Sequence, residues 1–141
     1  MVLYLHMPDN VDIKSMIAEY MEKGFLENII DMFKHDKSLY PLIGELMADE
    51  RMRVRLGMSA LVEALVKEDA DNIARSIPSL ATLLKDRNPT LRGDAVYLLG
   101  IIGQNEVIPL LAEAAGDDNP EVRQIAREAM EEIKMRKATS P

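Results

Sequence analysis

A proline, an aspartate eight residues later and an arginine six residues further on recur three times in this chain: Pro41/Asp49/Arg55, Pro78/Asp86/Arg92 and Pro109/Asp117/Arg123. The last two copies stay 31 residues apart throughout. Ile77-Pro78 corresponds to Ile108-Pro109, and the stretch from Asp86 to Arg92 corresponds to that from Asp117 to Arg123. A fixed period of this size marks stacked helical hairpins, each of which buries its apolar face only against a neighbour. The expected fold is all-α, an α-solenoid (superhelix) of about four such hairpins.

Composition supports that class. The chain has 141 residues, 48% of them hydrophobic and 29% charged, enough for one globular domain with a real core. With no Trp and two Phe, that core must be built from Leu, Ile, Val, Ala and Met, the residues that pack helix on helix. A net charge of −7 opposes affinity for a phosphate backbone, so nucleic acid is not an expected partner. The absence of Cys excludes disulfides, thiolate nucleophiles and thiolate metal sites, and agrees with a reducing compartment.

Residues 1–7 are apolar but lack a basic start and stop at Pro8-Asp9-Asn10, too short for a signal-peptide core. No run approaches the roughly 18 apolar residues of a membrane span. The expectation is a cytoplasmic protein with no membrane partner. Residues 1–10 read as an N-terminal arm, either strand-like or disordered, or else a sticky segment that pairs with a second copy in a weak homodimer.

Residues 11–37 read as a degenerate first repeat. Asn10 is the expected N-cap of a helix carrying Ile13, Met16, Ile17 and Tyr20, Gly24 its left-handed terminator, and a second helix runs from Phe25 to Phe33. Ser38 is expected to cap the next element. Regular hairpins follow over residues 38–67, 71–102 and 106–137, with turns at 48–51, 86–88 and 117–119, and residues 138–141 are a frayed tail. The register between the first two signatures is 37 residues, so six residues are inserted at 67–72. That polar insert is either neutral loop variation or a partner-contacting loop.

Asn88-Pro89 and Asn119-Pro120 place a side-chain acceptor at an N-cap and a proline at the first helical position, where no N–H is missed. Asp86 and Asp117 then lie in the turn, with Arg92 and Arg123 one turn into the helix. Each aspartate can thus receive an arginine of its own repeat or of the next. A charge pair repeated at one position in every unit is explained by turn-fixing, so Asp49, Arg55, Asp86, Arg92, Asp117 and Arg123 are read as a structural ladder.

The run Ile108-Pro109-Leu110-Leu111, the turn Asp117-Asp118-Asn119-Pro120 and the sequence Val122-Arg123-Gln124-Ile125-Ala126 together resemble the HEAT-repeat family, in particular its short-repeat branch found in phycobilin lyases. The resemblance covers residues 39–134 and is most specific over 77–134. In the first copy Arg51-Met52 replaces Asn-Pro, and residues 1–37 carry no match. The resemblance implies an armadillo-like α-solenoid whose second helices line the concave face.

Little in the chain suggests chemistry. His6 and His35 are far apart, and neither belongs to a His-Glu or His-x-x-x-His pair that would direct two ligands at one metal. HEAT-like hydroxylases carry repeated His-Glu motifs that are missing here. No Gly-x-x-x-x-Gly-Lys loop exists to cradle phosphate; Gly100 and Gly103 read as turn glycines, with Asn105 capping the next helix. HEAT-like DNA glycosylases use a basic, aromatic-lined groove, whereas this chain is acidic. Its densest basic run is Arg51, Arg53 and Arg55, of which Arg51 and Arg53 are expected to be exposed. No catalytic residue, cofactor or metal is therefore expected.

Aligning the second helices puts Tyr97, Ala60 and Glu128 in one row and Asp94, Gly57 and Ile125 in the next. Tyr97 is the only aromatic there, either an amphipathic anchor for a partner or a packing residue between repeats. Gly93 beside it would let a partner approach. Met16, Met32, Met47, Met58 and Met130 fall on core stripes. The functional expectation is a protein–protein interaction scaffold or adaptor, non-catalytic by itself, with Tyr97, Asp94, Arg53 and Arg127 as candidate partner-binding residues. Two alternatives stand beside it: an accessory subunit of a bilin or cofactor lyase, and a HEAT-like nucleic-acid-binding or repair module.

Overall fold

Several helix boundaries among the described residues trace to a cap, a glycine or a proline. A computed structural model describes residues 12–139; the arm expected at residues 1–10, the N-cap expected at Asn10, and Ser140 and Pro141 lie outside them. Among the described residues eight α-helices follow one another: α1 (Ile13–Glu22), α2 (Leu26–His35), α3 (Ile43–Met47), α4 (Met52–Glu68), α5 (Ile77–Thr82), α6 (Pro89–Ile102), α7 (Ile108–Ala114) and α8 (Pro120–Thr139). There is no strand among the described residues. Two compact units divide between Ser76 and Ile77.

The second helix of each regular hairpin starts where the sequence predicts. The Asn88 and Asn119 side chains accept the N–H groups of Thr90 and Glu121, each at 2.9 Å, and open α6 and α8. The first helices differ from expectation. Instead of running unbroken over residues 39–47, 71–85 and 106–116, each begins as a 3₁₀ turn: Lys37–Leu42, Ile73–Ser76 and Asn105–Val107. Pro41, Pro78 and Pro109 supply the reason, because a residue without an N–H is tolerated only at the start of an α-helix. Pro78 and Pro109 accordingly fall in the first turn of α5 and α7, which begin one residue earlier, whereas Pro41 lies within the 3₁₀ turn and α3 begins two residues after it.

In the first unit α1 packs on α2 and α4, and α3 packs on α4. Asp12 caps α1, its carboxylate accepting the Lys14 N–H at 3.0 Å, so the helix starts two residues later than expected from Asn10. The other end behaves as predicted: Gly24 takes φ +86°, Phe25 N–H reaches the Tyr20 carbonyl at 2.9 Å, and Gly24 N–H reaches Met21 at 3.0 Å. The Tyr20 and Phe25 rings close this Schellman turn edge to face at 5.5 Å. Asp36, not Ser38, caps the following element, because its carboxylate accepts the Ser38 N–H at 3.0 Å. The core collects Ile17, Ile29, Phe33, Ile43, Met47, Met58, Leu61 and Leu65, all fully buried.

The insert at 67–72 ties the end of α4 to the Lys37–Leu42 turn. Asp69 accepts from Lys37 Nζ at 2.8 Å and from Asn72 Nδ2 at 2.9 Å, and it takes the hydroxyl hydrogen of Tyr40 in a short bond. Tyr40 is completely buried, with its ring edge to face against Phe33 at 5.5 Å. Burial, and then the Asp69 carboxylate, pushes the Tyr40 hydroxyl well above its ordinary range, so it stays a donor. Burial alone would push Asp69 up, but the bonds from Asn72, Lys37 and Tyr40 outweigh it and hold the carboxyl at about 2. Lys34 and Glu68 add an ion pair at 3.0 Å. Glu68, Asp69 and Asn72 of the insert thus make contacts that hold the unit together.

In the second unit α5 packs on α6, and α6 and α7 pack on α8. Leu91, Val96, Leu99, Leu111, Val122 and Ala126 form the apolar interior. Gly100 lies inside α6, contrary to a turn role: a Cβ there would stand 2.7 Å from Ala129 Cβ, so glycine lets α6 and α8 approach closely. Gly103, at φ +66°, is the residue that ends α6. Asn105 does not cap the element after it, which starts from Gln104; its side-chain oxygen instead accepts from Lys137.

Each turn of the repeat is built from the same two bonds. The carboxylates of Asp49, Asp86 and Asp117 accept the N–H two residues on, at 2.8, 2.8 and 2.9 Å. Arg55, Arg92 and Arg123 return a guanidinium N–H to the carbonyl of the aspartate six residues earlier, at 2.7, 2.8 and 2.8 Å. Arg92 also reaches sideways to the next repeat, gripping Asp117 with two bonds of 2.9 and 3.0 Å. That grip holds the Asp117 carboxyl below the usual carboxylate range.

Two outcomes follow for stability. Asp117→Ala removes both an N–H acceptor and the Arg92 grip, whereas Asp86→Ala removes the Asn88 N–H acceptor. We expect thermal melts to show the larger loss for Asp117→Ala, by about 1 to 2 kcal/mol after solvent screening is allowed for; equal losses would show that the lateral grip contributes nothing. Because the Asp69 carboxyl is depressed in the folded state, its contribution is complete above the ordinary carboxylate value near 3.8 and disappears as pH falls toward about 2. Urea titrations across that window should lose about 1 kcal/mol more in the parent protein than in Asp69→Asn, once screening is included.

Candidate functional site

The apolar faces of α6 and α8 are consumed by the core, and what remains of each helix facing outward along their seam forms a groove. On α6 the outward positions are Asp94, Tyr97 and Ile101, spaced three and four residues apart; on α8 they are Glu121, Ile125, Glu128 and Glu132, spaced four, three and four. The groove consists of two adjoining depressions of about 240 and 170 Å³ that share Ile125. Gly93 and Val122 line the first depression, and Gly100 and Ala129 the second.

Tyr97 is 45% exposed, as is Phe25 in the first unit, and stands over the second depression. Asp94 lies one helical turn before it, in the first. Gly93 does not open a path for a partner, since a Cβ on it would meet Ile125 Cδ1 at 3.2 Å; it serves the packing of α6 on α8. The other two candidate residues lie elsewhere. Arg127 is on α8 outside the groove lining, its guanidinium bonded to the Gln124 side chain at 2.9 Å. Arg53 belongs to α4 in the first unit and is exposed. The structure thus brings Tyr97 and Asp94 onto one seam and leaves the two arginines out of it.

Sequence reasoning identified Glu128 and Ile125 as neighbours in alignment rows but missed Glu121, Glu132 and Ile101. The signal was present in the 121/125/128/132 spacing, which a helix converts into one stripe. It also missed Met52 and Leu56 on α4, both 64% exposed.

The charge around the groove is one-sided. Asp94, Glu121, Glu128 and Glu132 line it, and no Lys or Arg does. Several cations of the second unit are engaged elsewhere: Arg92 with Asp117 and Asp118, Lys85 with Glu113, and Arg136 with the carbonyls of Gly100 and Ile101 at 2.8 and 3.4 Å.

A larger cleft, of about 560 Å³, lies in the first unit between α1 and the turn before α4. Its cations are already matched: Lys14 pairs with Glu45 at 3.0 Å, and Arg51 pairs with Glu19 at 3.1 Å and Asp49 at 3.0 Å. Arg51 is exposed, as the sequence suggested, and is engaged in both of these pairs. Its side chain ties the turn to α1, where an Asn cap is lacking. His35 bonds the Asp31 carbonyl through Nδ1 at 2.8 Å, and His6 lies outside the described residues. Among the described residues there is no group of three or more His, Asp or Glu placed to hold a metal ion, and no helix long and apolar enough to cross a membrane.

Comparison with known proteins agrees with this architecture. The profile of the family described as HEAT repeats matches residues 41–131. The chain is also similar to the AP-3 complex subunit beta-1 of Bos taurus, at 24% identity over 137 residues that cover 90% of this chain and 13% of that protein. The chain thus spans a small part of the relative it matches. Helical hairpins joined by the Pro/Asp/Arg turn, together with a profile match over well over half its length, show that the chain belongs to the HEAT-repeat family.

Proposed function

We propose that this chain is a protein-interaction module, non-catalytic by itself, that receives a segment of a partner protein along the seam between α6 and α8. The observation that carries this reading is Tyr97: a large amphipathic ring, nearly half exposed, set on a rigid helix beside a depression floored by Ile125 and Ala129. An aromatic held this way loses little conformational freedom on binding and offers both an apolar face and a hydroxyl, the properties of interface anchors. Asp94, one turn away, supplies a polar contact in the adjoining depression. Arg53 and Arg127 are no part of this site.

HEAT-repeat membership supports the reading, since stacked hairpins present preformed surfaces at low ordering cost. The bovine relative is by name a subunit of a complex. By analogy, the present chain works as a component of an assembly.

A photoreactive amino acid installed in place of Tyr97 should crosslink to a discrete partner protein in cells that naturally produce this chain, while the same group in place of Arg127 on α8 should not. Equal labelling at both positions, or none at 97, would overturn the assignment. Tyr97→Ala should leave the melting temperature within the range of ordinary surface substitutions, about 0.5 kcal/mol, so that loss of crosslinking cannot be ascribed to unfolding.

A further inference from the structure

We infer that the segment received by the α6–α8 groove is basic: an extended stretch bearing Lys or Arg side chains on either side of an aliphatic one. This rests on the interaction reading above and gives the partner its chemistry. The floor of the groove is apolar, with Ile101, Ile125, Val122 and Ala129 between the helices. The charged residues of its rim are all carboxylates, with Asp94 on one side and Glu121, Glu128 and Glu132 on the other. Among the described residues no ion pair engages Glu121, Glu128 or Glu132, while the neighbouring cations are held by Asp117, Asp118, Glu113 and the carbonyls of Gly100 and Ile101.

Spacing narrows the occupant. Along a helix rising about 1.5 Å per residue, Glu128 and Glu132 stand about 6 Å apart and Glu121 about 10 Å before Glu128. An extended chain places side chains of one face about 6.6 Å apart, so alternate basic residues meet Glu128 and Glu132 in register. The aliphatic stems of Lys or Arg lie over the apolar floor while their heads reach the rim. An intervening aliphatic side chain, turned the other way, meets Tyr97 on α6. An acidic or nucleic-acid occupant would instead bring anions against four carboxylates, which like-charge repulsion disfavours.

The test is fluorescence anisotropy with the full chain and a labelled Gly-Lys-Ile-Arg-Leu-Lys-Gly peptide, beside the same peptide with Glu in place of each basic residue. The basic peptide should bind and the acidic one should not. The double variant Glu128→Gln/Glu132→Gln should weaken binding by about fivefold, and Tyr97→Ala should weaken it as well. Glu131→Gln, the same change of charge on an exposed position of α8 outside the groove, should have no effect. Equal weakening by Glu131→Gln and by the double variant would reduce the effect to overall charge and overturn the inference. Binding of the acidic peptide in a Tyr97-dependent manner would also overturn it while leaving the interaction reading intact. If neither peptide binds yet the photoreactive group at 97 still captures a partner, the basic chemistry alone is wrong; if both experiments are empty, both readings fall.

Discussion

The turn that joins the two helices of a repeat is fixed by one arginine acting on one aspartate's backbone. In all three copies the guanidinium returns to the carbonyl of the aspartate six residues earlier, and the aspartate's carboxylate accepts an N–H two residues ahead. Backbone groups at a helix start are otherwise unpaired, so these two bonds complete the turn and set the direction in which the second helix leaves it. Arginine suits the position because its planar fork carries several donors. Arg92 uses one for its own turn and two for Asp117 of the following repeat, so the residue that shapes one hairpin also holds the next against it. A lysine, with a single point charge, could not make both connections.

The first unit reaches the same architecture with different parts. Arg51-Met52 stands where the later copies have Asn-Pro, and the start of α4 has no side-chain cap. The deficiency is met from outside the turn: Arg51 bridges Asp49 and Glu19, fastening the turn to α1. At the far end of α4, Asp69 gathers Lys37, Tyr40 and Asn72. The buried Tyr40 hydroxyl would be costly without an acceptor, and the inserted residues provide one. The longer connection thus satisfies a polar group that the rest of the unit buries.

How much was legible from sequence depended on whether a bond was local. The Asn-Pro helix starts, the Gly24 turn and the limits of α4 and α6 are set by residues within a few positions of the boundary, and the repeat register revealed them. The first helices read wrongly because apolar periodicity continues across a proline even where backbone hydrogen bonding cannot, leaving 3₁₀ turns before the α-helical part. The cap at Ser38 failed because a competing acceptor, Asp36, lies two residues away, and a list of capping residue types does not rank them; α1 is capped by Asp12. Gly100 was misread because its partner, Ala129, is distant in sequence. The groove was half visible: Tyr97 and Asp94 stood out as positions the repeat does not dictate, while the acidic stripe on α8 resembled an ordinary solvated face until α6 was seen beside it.

That stripe is linked to the way the fold uses its positive charges. Arg92, Arg123 and Arg136 all direct guanidinium N–H groups at backbone carbonyls, two at the repeat turns and one at the last turn of α6, where the helix dipole favours a cation. The positive charge of these three arginines is therefore anchored to turns and a helix end by main-chain geometry. It is not available to migrate toward Glu121, Glu128 and Glu132 as surface lysines would be. Carboxylates have no such attraction to carbonyls, and among the described residues no ion pair engages Glu121, Glu128 or Glu132 along the seam of α6 and α8. The arginines that build the hairpins thus separate charge within the unit, and the negative side of that separation coincides with the one exposed aromatic of the two helices that form the groove. An electrostatic preference for a basic partner arises from the same residues that hold the repeats together.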